Sequence, residues 1–251
     1  MKKCIFTAAA ALFLLSGAAF AEPNAAAALP EGAIVLTPAE AIDAGIVFRD
    51  SASIRTISLP PPSTSGGMPL RDALSARATH REFSSEALSE QELSDLLWAA
   101  NGFNRPDARK RTAPTAINRQ EIDIYVFLGD GAYFWDSEAN ELRRVCGNDL
   151  RCFVGRMNAG ADNFAVKAPV TLAYVVDYER QGMQERPADA FKYASVDCGF
   201  VGQNVYLHCA ASGLNTVFLG MIDAERISKA LALPATKVPM FAQTVGKSAG
   251  E

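Results

Sequence analysis

The sequence predicts an α+β sandwich, and three observations carry that prediction. The near-continuous apolar run Pro169–Val176 reads as a central strand buried on both faces. A second apolar run, Ala190–Ser212, stops at Gly213 and reads as a helix enclosed by protein on all sides. The other strands and helices succeed one another without strict β-α-β alternation, which argues against a doubly wound parallel sheet.

Taken in order, residues 1–21 form a secretory signal. Lys2 and Lys3 are its charged region, Ile5–Leu15 its apolar region, and Ala19-Phe20-Ala21 its cleavage site, with the cut after Ala21. A periplasmic or secreted protein is expected. Residues 22–67 read as an arm and linker. Thr37-Pro38 starts a short helix that Gly45 stops, and Pro60-Pro61-Pro62 runs into a Ser/Thr/Gly stretch.

Residues 68–251 form the compact domain. Pro69–Ala76 is a short helix and Arg77–Ser85 a polar loop. Ser89-x-x-Glu92 is a capping box that opens a helix through Ala100. Phe103–Gln120 is a long polar loop. Ile122–Leu128 alternates as a strand, Gly129-Asp130-Gly131 turns it, and Ala132–Trp135 returns. Glu141–Val145 adds a third strand. Beyond the central helix come strand Asn215–Met221, a helix from its cap Asp223 to Leu231, and strand Val238–Val245.

Charge and cysteine usage narrow the function. The chain of 251 residues carries 24 basic and 28 acidic groups, a formal charge of −4. Loss of the leader leaves 22 against 28, so a nucleic-acid partner is not expected. No stretch after the leader is long and apolar enough to insert into a membrane. In an oxidising compartment Cys146 and Cys152 are spaced to close a small disulfide loop. Cys198 and Cys209, eleven residues apart on one helix, stand about 16 Å apart along its axis and cannot pair. Two histidines and these cysteine spacings match no zinc site, so no metal is expected.

Several chemistries drop out. Gly129-x-Gly131 leads into a strand rather than a helix, so it is no dinucleotide fingerprint. Gly246-Lys247-Ser248 has Phe241 where a phosphate loop needs its first glycine. No G-x-S-x-G elbow exists. What remains is Arg77-Ala78-Thr79-His80-Arg81-Glu82-Phe83, where two arginines flank a hydroxyl and can grip a phosphate. A merely exposed basic loop is the competing reading. Asn118 and Gln120, just before a strand, can hydrogen-bond the edge of a planar heterocycle. Asp197, Gln203, Asn204 and His208 are polar groups on the apolar helix and need partners.

In this order the pieces resemble the nitroreductase family of flavin enzymes. The family's R-R-S-x-R-x-F pattern is matched by Arg77, Thr79, Arg81 and Phe83, with Ala78 at the second arginine. Its P-S-x-x-N-x-Q pattern is matched by Pro114, Asn118 and Gln120, with Thr115 for serine. Its D-x-G-x-x-x-Q-N helix, closing in G-L, appears as Asp197, Gly199, Gln203, Asn204, Gly213 and Leu214. Leu88–Ala100 resembles the branch of dehydrogenases that oxidise thiazolines and oxazolines in modified peptides.

The resemblance implies a mixed, largely antiparallel sheet with helices packed around it, and a homodimer with noncovalent FMN at its interface. Arg77, Ala78, Thr79 and Arg81 would then hold phosphate and ribityl, and Asn118 the ring. Leu219 and Gly220 would place backbone near the flavin's reactive nitrogen, and Lys247 would add charge at the phosphate. NAD(P)H is a candidate donor to a small-molecule substrate. Lys192 and Tyr193 are the weaker candidates for a catalytic pair. One difficulty opposes this reading: a chain exported unfolded must acquire FMN outside. The alternative is an exported binding module that keeps the fold and holds another ligand or none.

Overall fold

The computed structural model describes residues 4–7, 33–36, 55–155 and 163–249. Most of the expected signal at 1–21, and the short helix expected from Thr37 to Gly45, lie outside them. Strands β1 (Cys4–Thr7) and β2 (Ala33–Leu36) pair with each other antiparallel. The rest of the description concerns the body of the molecule.

A seven-stranded sheet organises that body. Its strands are β3 (Thr56–Ser58), β6 (Ile122–Leu128), β7 (Gly131–Asp136), β8 (Glu141–Cys146), β9 (Val170–Asp177), β10 (Leu214–Leu219) and β11 (Lys237–Lys247). They lie in the order β10-β11-β9-β6-β7-β8-β3, and every neighbouring pair is antiparallel. The largely antiparallel sheet that the resemblance implies is found, with every neighbouring pair antiparallel among the described residues. β6–β7 is joined by two residues and β7–β8 by four, short hairpin links that need no parallel crossover. β9 lies third of the seven, between β11 and β6, buried on both faces as its apolar run requires. The arm contributes too: β3 pairs with β8, and buried Leu59 anchors the chain that follows.

Alternation along the strands feeds two cores. Ile122, Ile124 and Val126 face α2 (Glu90–Asn101) and α5 (Pro187–Ser212), against Leu96, Leu97, Val201 and Val205. Tyr125, Phe127, Ala173 and Val175 face the other side, against Phe153, Phe164, Ile227 and Leu231. Those residues come from a 3₁₀ turn (Arg151–Phe153), α3 (Phe164–Lys167) and α6 (Ala224–Leu231). Two further helices are α1 (Leu70–Ala76) and α4 (Tyr178–Gln181).

The helix boundaries follow their caps. Ser89 Oγ accepts from Glu92 N at 3.2 Å, and Glu92 Oε2 accepts from Ser89 N at 2.7 Å, completing the predicted capping box of α2. Asp223 caps α6 by accepting from Arg226 N. α5 begins three residues earlier than its apolar run, because Pro187 at the first helical position has the helical φ already set. It ends at Gly213, φ 69°, whose N–H donates to Cys209 O. The loop Phe103–Gln120 holds more order than its composition predicts. It contains a small hairpin of β4 (Phe103–Arg105) and β5 (Lys110–Arg111) and two 3₁₀ turns.

The expectation that α5 is enclosed on all sides does not hold within one chain. Val196 and Phe200, four residues apart, form a short open strip along it, and Phe191 (59% exposed) nearer its start and Leu70 (65% exposed) and Leu74 on α1 are exposed as well. α5 is apolar all round because its outer face also carries apolar residues. The Cys146–Cys152 disulfide is likewise absent. Cys146 Sγ bonds Asn148 Oδ1 at 3.3 Å, and Cys152 Sγ bonds Asp149 O at 3.5 Å. Burial pushes the Cys152 thiol up to about 12, so the thiolate that exchange chemistry needs is scarce. No helix among the described residues is long and apolar enough to cross a membrane, and no metal-binding cluster occurs among them.

Candidate functional site

Two loops converge on α5. The first, Arg77–Ser85, lies along the ends of β10 and β11. His80 N donates to Thr216 O, Ser84 N to Lys247 O, and Asn215 Nδ2 to Glu82 O. Phe83 plugs the loop into the second core beside Phe164. Thr79 Oγ1 lies 2.9 Å from the Tyr206 hydroxyl, and the Arg77 guanidinium sits 5.3 Å from the centre of the Tyr206 ring. Tyr206 itself is fixed, since its oxygen accepts from Phe218 N at 3.0 Å. Ala78 is half-buried between them. Neither Arg77 nor Arg81 forms an ion pair among the described residues, and Arg81 is exposed. Two unpaired guanidiniums flanking a hydroxyl are a donor set suited to a phosphate.

Lys247 is engaged. Its ammonium lies 2.5 Å from Glu86 and 3.8 Å from Glu92, and the bond to Glu86 raises its pKa. Leu219 ends β10 and is buried, while Gly220 is exposed beside the Phe241 ring.

The second loop is Pro114–Gln120. Ile117, Asn118 and Gln120 all have left-handed backbone, at φ 46°, 58° and 53°. Such residues persist only where the surroundings over-determine them. Thr115 Oγ1 accepts from Gln120 N at 2.8 Å, and Asp197 Oδ2, from α5, accepts from Ala116 N at 2.9 Å. Gln120 is consumed within the loop. Its Oε1 accepts from Arg111 Nε at 2.8 Å, and its Nε2 donates to Arg109 O and to Asn118 Oδ1. Asn118 is exposed, and its amide Nδ2 has no partner among the described residues. Of the two amides expected to meet a heterocycle, only Asn118 is presented for it.

The loops meet α5 at Tyr206 and Asp197, nine residues apart, or about 13 Å along the axis. Lys192 and Tyr193 lie elsewhere. Lys192 pairs with Asp189 at 3.0 Å and covers the Tyr193 ring at 4.8 Å, at the exposed start of α5. Tyr206 is fourteen residues on, about 21 Å away along the helix, so one protomer does not join this pair to the arginine loop.

The arginines of the long loop serve the fold. Arg111 donates to Asn101 O and Ser137 Oγ and covers the Phe103 ring at 4.1 Å. Burial, above all, pulls its pKa down to about 10. Arg109 pairs with Glu138 on the surface. A cavity of about 230 Å³ lies behind this loop, walled by Asn101, Arg111, Asp123, Asp136, Glu138 and Arg180. None of the expected cofactor residues lines it.

Tyr206, Glu121 and the loop-holding role of Asp197 escaped the sequence reading. Tyr206 carries the hydroxyl of an otherwise apolar helix, and Glu121 is an acid at the head of an apolar strand. Those placements were the available signals.

A seven-stranded antiparallel sheet flanked by helices, with a basic loop and a strained amide loop converging on one apolar helix, makes an α+β protein with a candidate anion- and heterocycle-binding site. The nitroreductase family model matches residues 74–247, and the chain belongs to the nitroreductase family. A nitroreductase homologue from Methanocaldococcus jannaschii is 29% identical over 184 residues, covering 71% of this chain and 90% of that protein. A nitroreductase-type crystal structure from Ralstonia eutropha superposes with TM-score 0.71 at 34% identity, covering 80% of this chain and 93% of that one. The fold is also shared with the NADPH:FMN oxidoreductase of Vibrio harveyi, at TM-score 0.51 and 19% identity over 72% of this chain and 69% of that one. The Escherichia coli microcin synthetase complex shares it at TM-score 0.58 and 16% identity, over 80% of both chains. Family membership supports an oxidoreductase of the flavin type.

Proposed function

We propose that this protein is an exported, homodimeric oxidoreductase that holds FMN noncovalently and passes hydride or electrons from a reduced donor to a small organic acceptor. One observation carries the reading. The unpaired Arg77 and Arg81 flank Thr79 on a loop tied to the same helix that holds the Asn118 loop. A phosphate carries close to two negative charges near neutrality, and directed cationic donors offset its loss of water. The mature chain is acidic, so such a cluster is not a general basic face.

The two guanidiniums and the Thr79 hydroxyl bind the phosphate end. Asn118 Nδ2 donates to the ring edge, and backbone at Leu219 and Gly220 lines the place where a substrate meets the ring. Lys247 leaves Glu86 and Glu92 to join the phosphate, or stays and steadies the loop through Ser84. FMN supplies hydride transfer when bound, so these residues need only bind, orient and exclude water.

The open strip of Val196 and Phe200 supports a second copy as the cover for this site. A site completed by a partner is open on one side in a single protomer, in keeping with the absence of these residues from the cavity wall. NAD(P)H fits the donor role by analogy with the NADPH:FMN oxidoreductase of Vibrio harveyi. Export rests on the leader pattern, and it requires that FMN be acquired after translocation. The test is titration of the purified mature protein with FMN, followed by NAD(P)H oxidation with a nitroaromatic or quinone acceptor. Tight binding and turnover support the reading. A folded protein that binds no flavin favours the binding-module alternative.

A further inference from the structure

Behind the Asn118 loop two carboxyl groups meet. Glu121 follows Gln120 directly and is fully buried. Its Oε1 accepts a long bond from Gln181 Nε2, at 3.4 Å, and its Oε2 finds no donor among the described residues. Asp197 is 2% exposed and lies in side-chain hydrogen-bonding reach of Glu121. Two ionised carboxylates cannot make that bond, because neither brings a proton.

We infer that Glu121 and Asp197 share one proton, and that this proton positions the Asn118 loop for its ligand. The last step alone rests on the flavin reading above. Asp197 is the residue whose Oδ2 accepts Ala116 N–H, and Ala116 leads into the left-handed Ile117 and Asn118. With the proton present, Glu121 donates to Asp197, and Asp197 stays against the loop. Without it, two negative charges face each other in a buried setting, where like charges are poorly tolerated. The strained loop is the element most able to yield. Glu121 and Asp197 are thus positioning residues, acting on a ligand through Ala116 and Asn118.

The surroundings set where the switch falls. Gln181 from α4 and the Cys198 thiol from α5 complete the wall around Glu121. The Arg119 guanidinium lies alongside Gly182 at the end of α4. Burial is the largest influence, and with the bond and charge of Asp197 it outweighs a backbone N–H to hold Glu121 up to about 7.

Difference infrared spectroscopy on the mature protein reads the proton directly. Ordinary carboxylates are ionised by about pH 6, so a carbonyl stretch of a protonated carboxyl that persists there and vanishes through about pH 7 is expected. Glu121→Gln, which keeps a donor toward Asp197, should lose that band, and Asp197→Asn should move it to lower pH. Relative to Glu121→Gln, wild-type FMN affinity should fall up to about tenfold between about pH 6 and about pH 8, in a comparison that cancels the phosphate's own titration. Amide exchange at Ala116 should quicken over the same range in wild type alone.

No such band in wild type, or the same pH profile in Glu121→Gln, overturns the inference. Should Glu121→Gln fail to fold, the wild-type band and the Ala116 exchange profile still decide. A protein that shows the band and the exchange change yet binds no FMN at any pH keeps the shared proton and rejects the flavin reading.

Discussion

Gly202 and Phe218 lie so close that a β-carbon on the glycine would stand 2.6 Å from the phenylalanine ring. The contact seats α5 on β10 and so sets the distance between the helix and the sheet edge that carries the arginine loop. Gly202→Ala should cost about 1–3 kcal/mol by overpacking, read from urea denaturation. Gly199, three residues earlier, meets no atom within 4 Å on the open strip. Gly199→Ala should instead be neutral or stabilise the helix by roughly 0.5–1 kcal/mol. Equal costs at both positions would show that α5 is not seated this way.

Tyr206 joins the arginine loop to β10. Tyr206→Phe removes the contact with Thr79 and leaves the Phe218 N–H without its acceptor. A loss of about 1–3 kcal/mol in stability is expected. Weaker flavin binding should accompany it, because Thr79 and Arg77 both rest on this side chain. The measurement is denaturation together with flavin titration.

Arg81 is predicted to bind the phosphate. Arg81→Ala should cost about 2–5 kcal/mol of FMN affinity where the bound pair is covered, the range seen for truncated buried charge pairs. Arg109→Ala should cost far less, since Arg109 pairs with Glu138 on the surface away from the arginine loop. Fluorescence titration of both variants makes the comparison, and unchanged affinity in Arg81→Ala would mean the phosphate lies elsewhere.

The strip on α5 predicts a dimer. Light scattering should give twice the chain mass, and Phe200→Asp should reduce it to a monomer that still folds, because Phe200 is exposed within one chain. Flavin affinity should fall with the dimer. A wild-type monomer that binds FMN tightly would contradict the interface.

Glu121 also predicts how stability depends on pH. Its pKa is raised in the folded chain to about 7, so between the ordinary carboxyl range and about 7 the folded state holds a proton that the unfolded state has lost. Stability contributed by this group is present below that range and is lost as pH rises through it. Thermal midpoints of wild type should decline across the window relative to Glu121→Gln, and should run parallel above it.

Much of this was legible along the chain, because strand and helix signals are local. Alternation placed Ile122–Leu128 as the strand observed at those residues, and the Ser89–Glu92 pair placed the start of α2. Backbone hydrogen bonding and side-chain periodicity act over a few residues, so residue order reports them. The order of motifs likewise points to the nitroreductase family.

What residue order could not decide were matters of direction and distance across the fold. Hydropathy marks α5 as apolar all round, yet only packing determined which face the sheet covers and which stays open at Val196 and Phe200. Gln120 looked as available as Asn118 until Arg111, brought in by the β4–β5 hairpin, engaged its amide. Cys146 and Cys152 were near in sequence, but each sulfur bonds within its own turn. Glu121 and Asp197, 76 positions apart, became neighbours only when α5 packed against the head of β6. The sequence by itself determined the elements and the family, through interactions that span a few residues. Tertiary structure decided which polar groups face one another, because burial and long-range contact exist only once the chain has closed on itself.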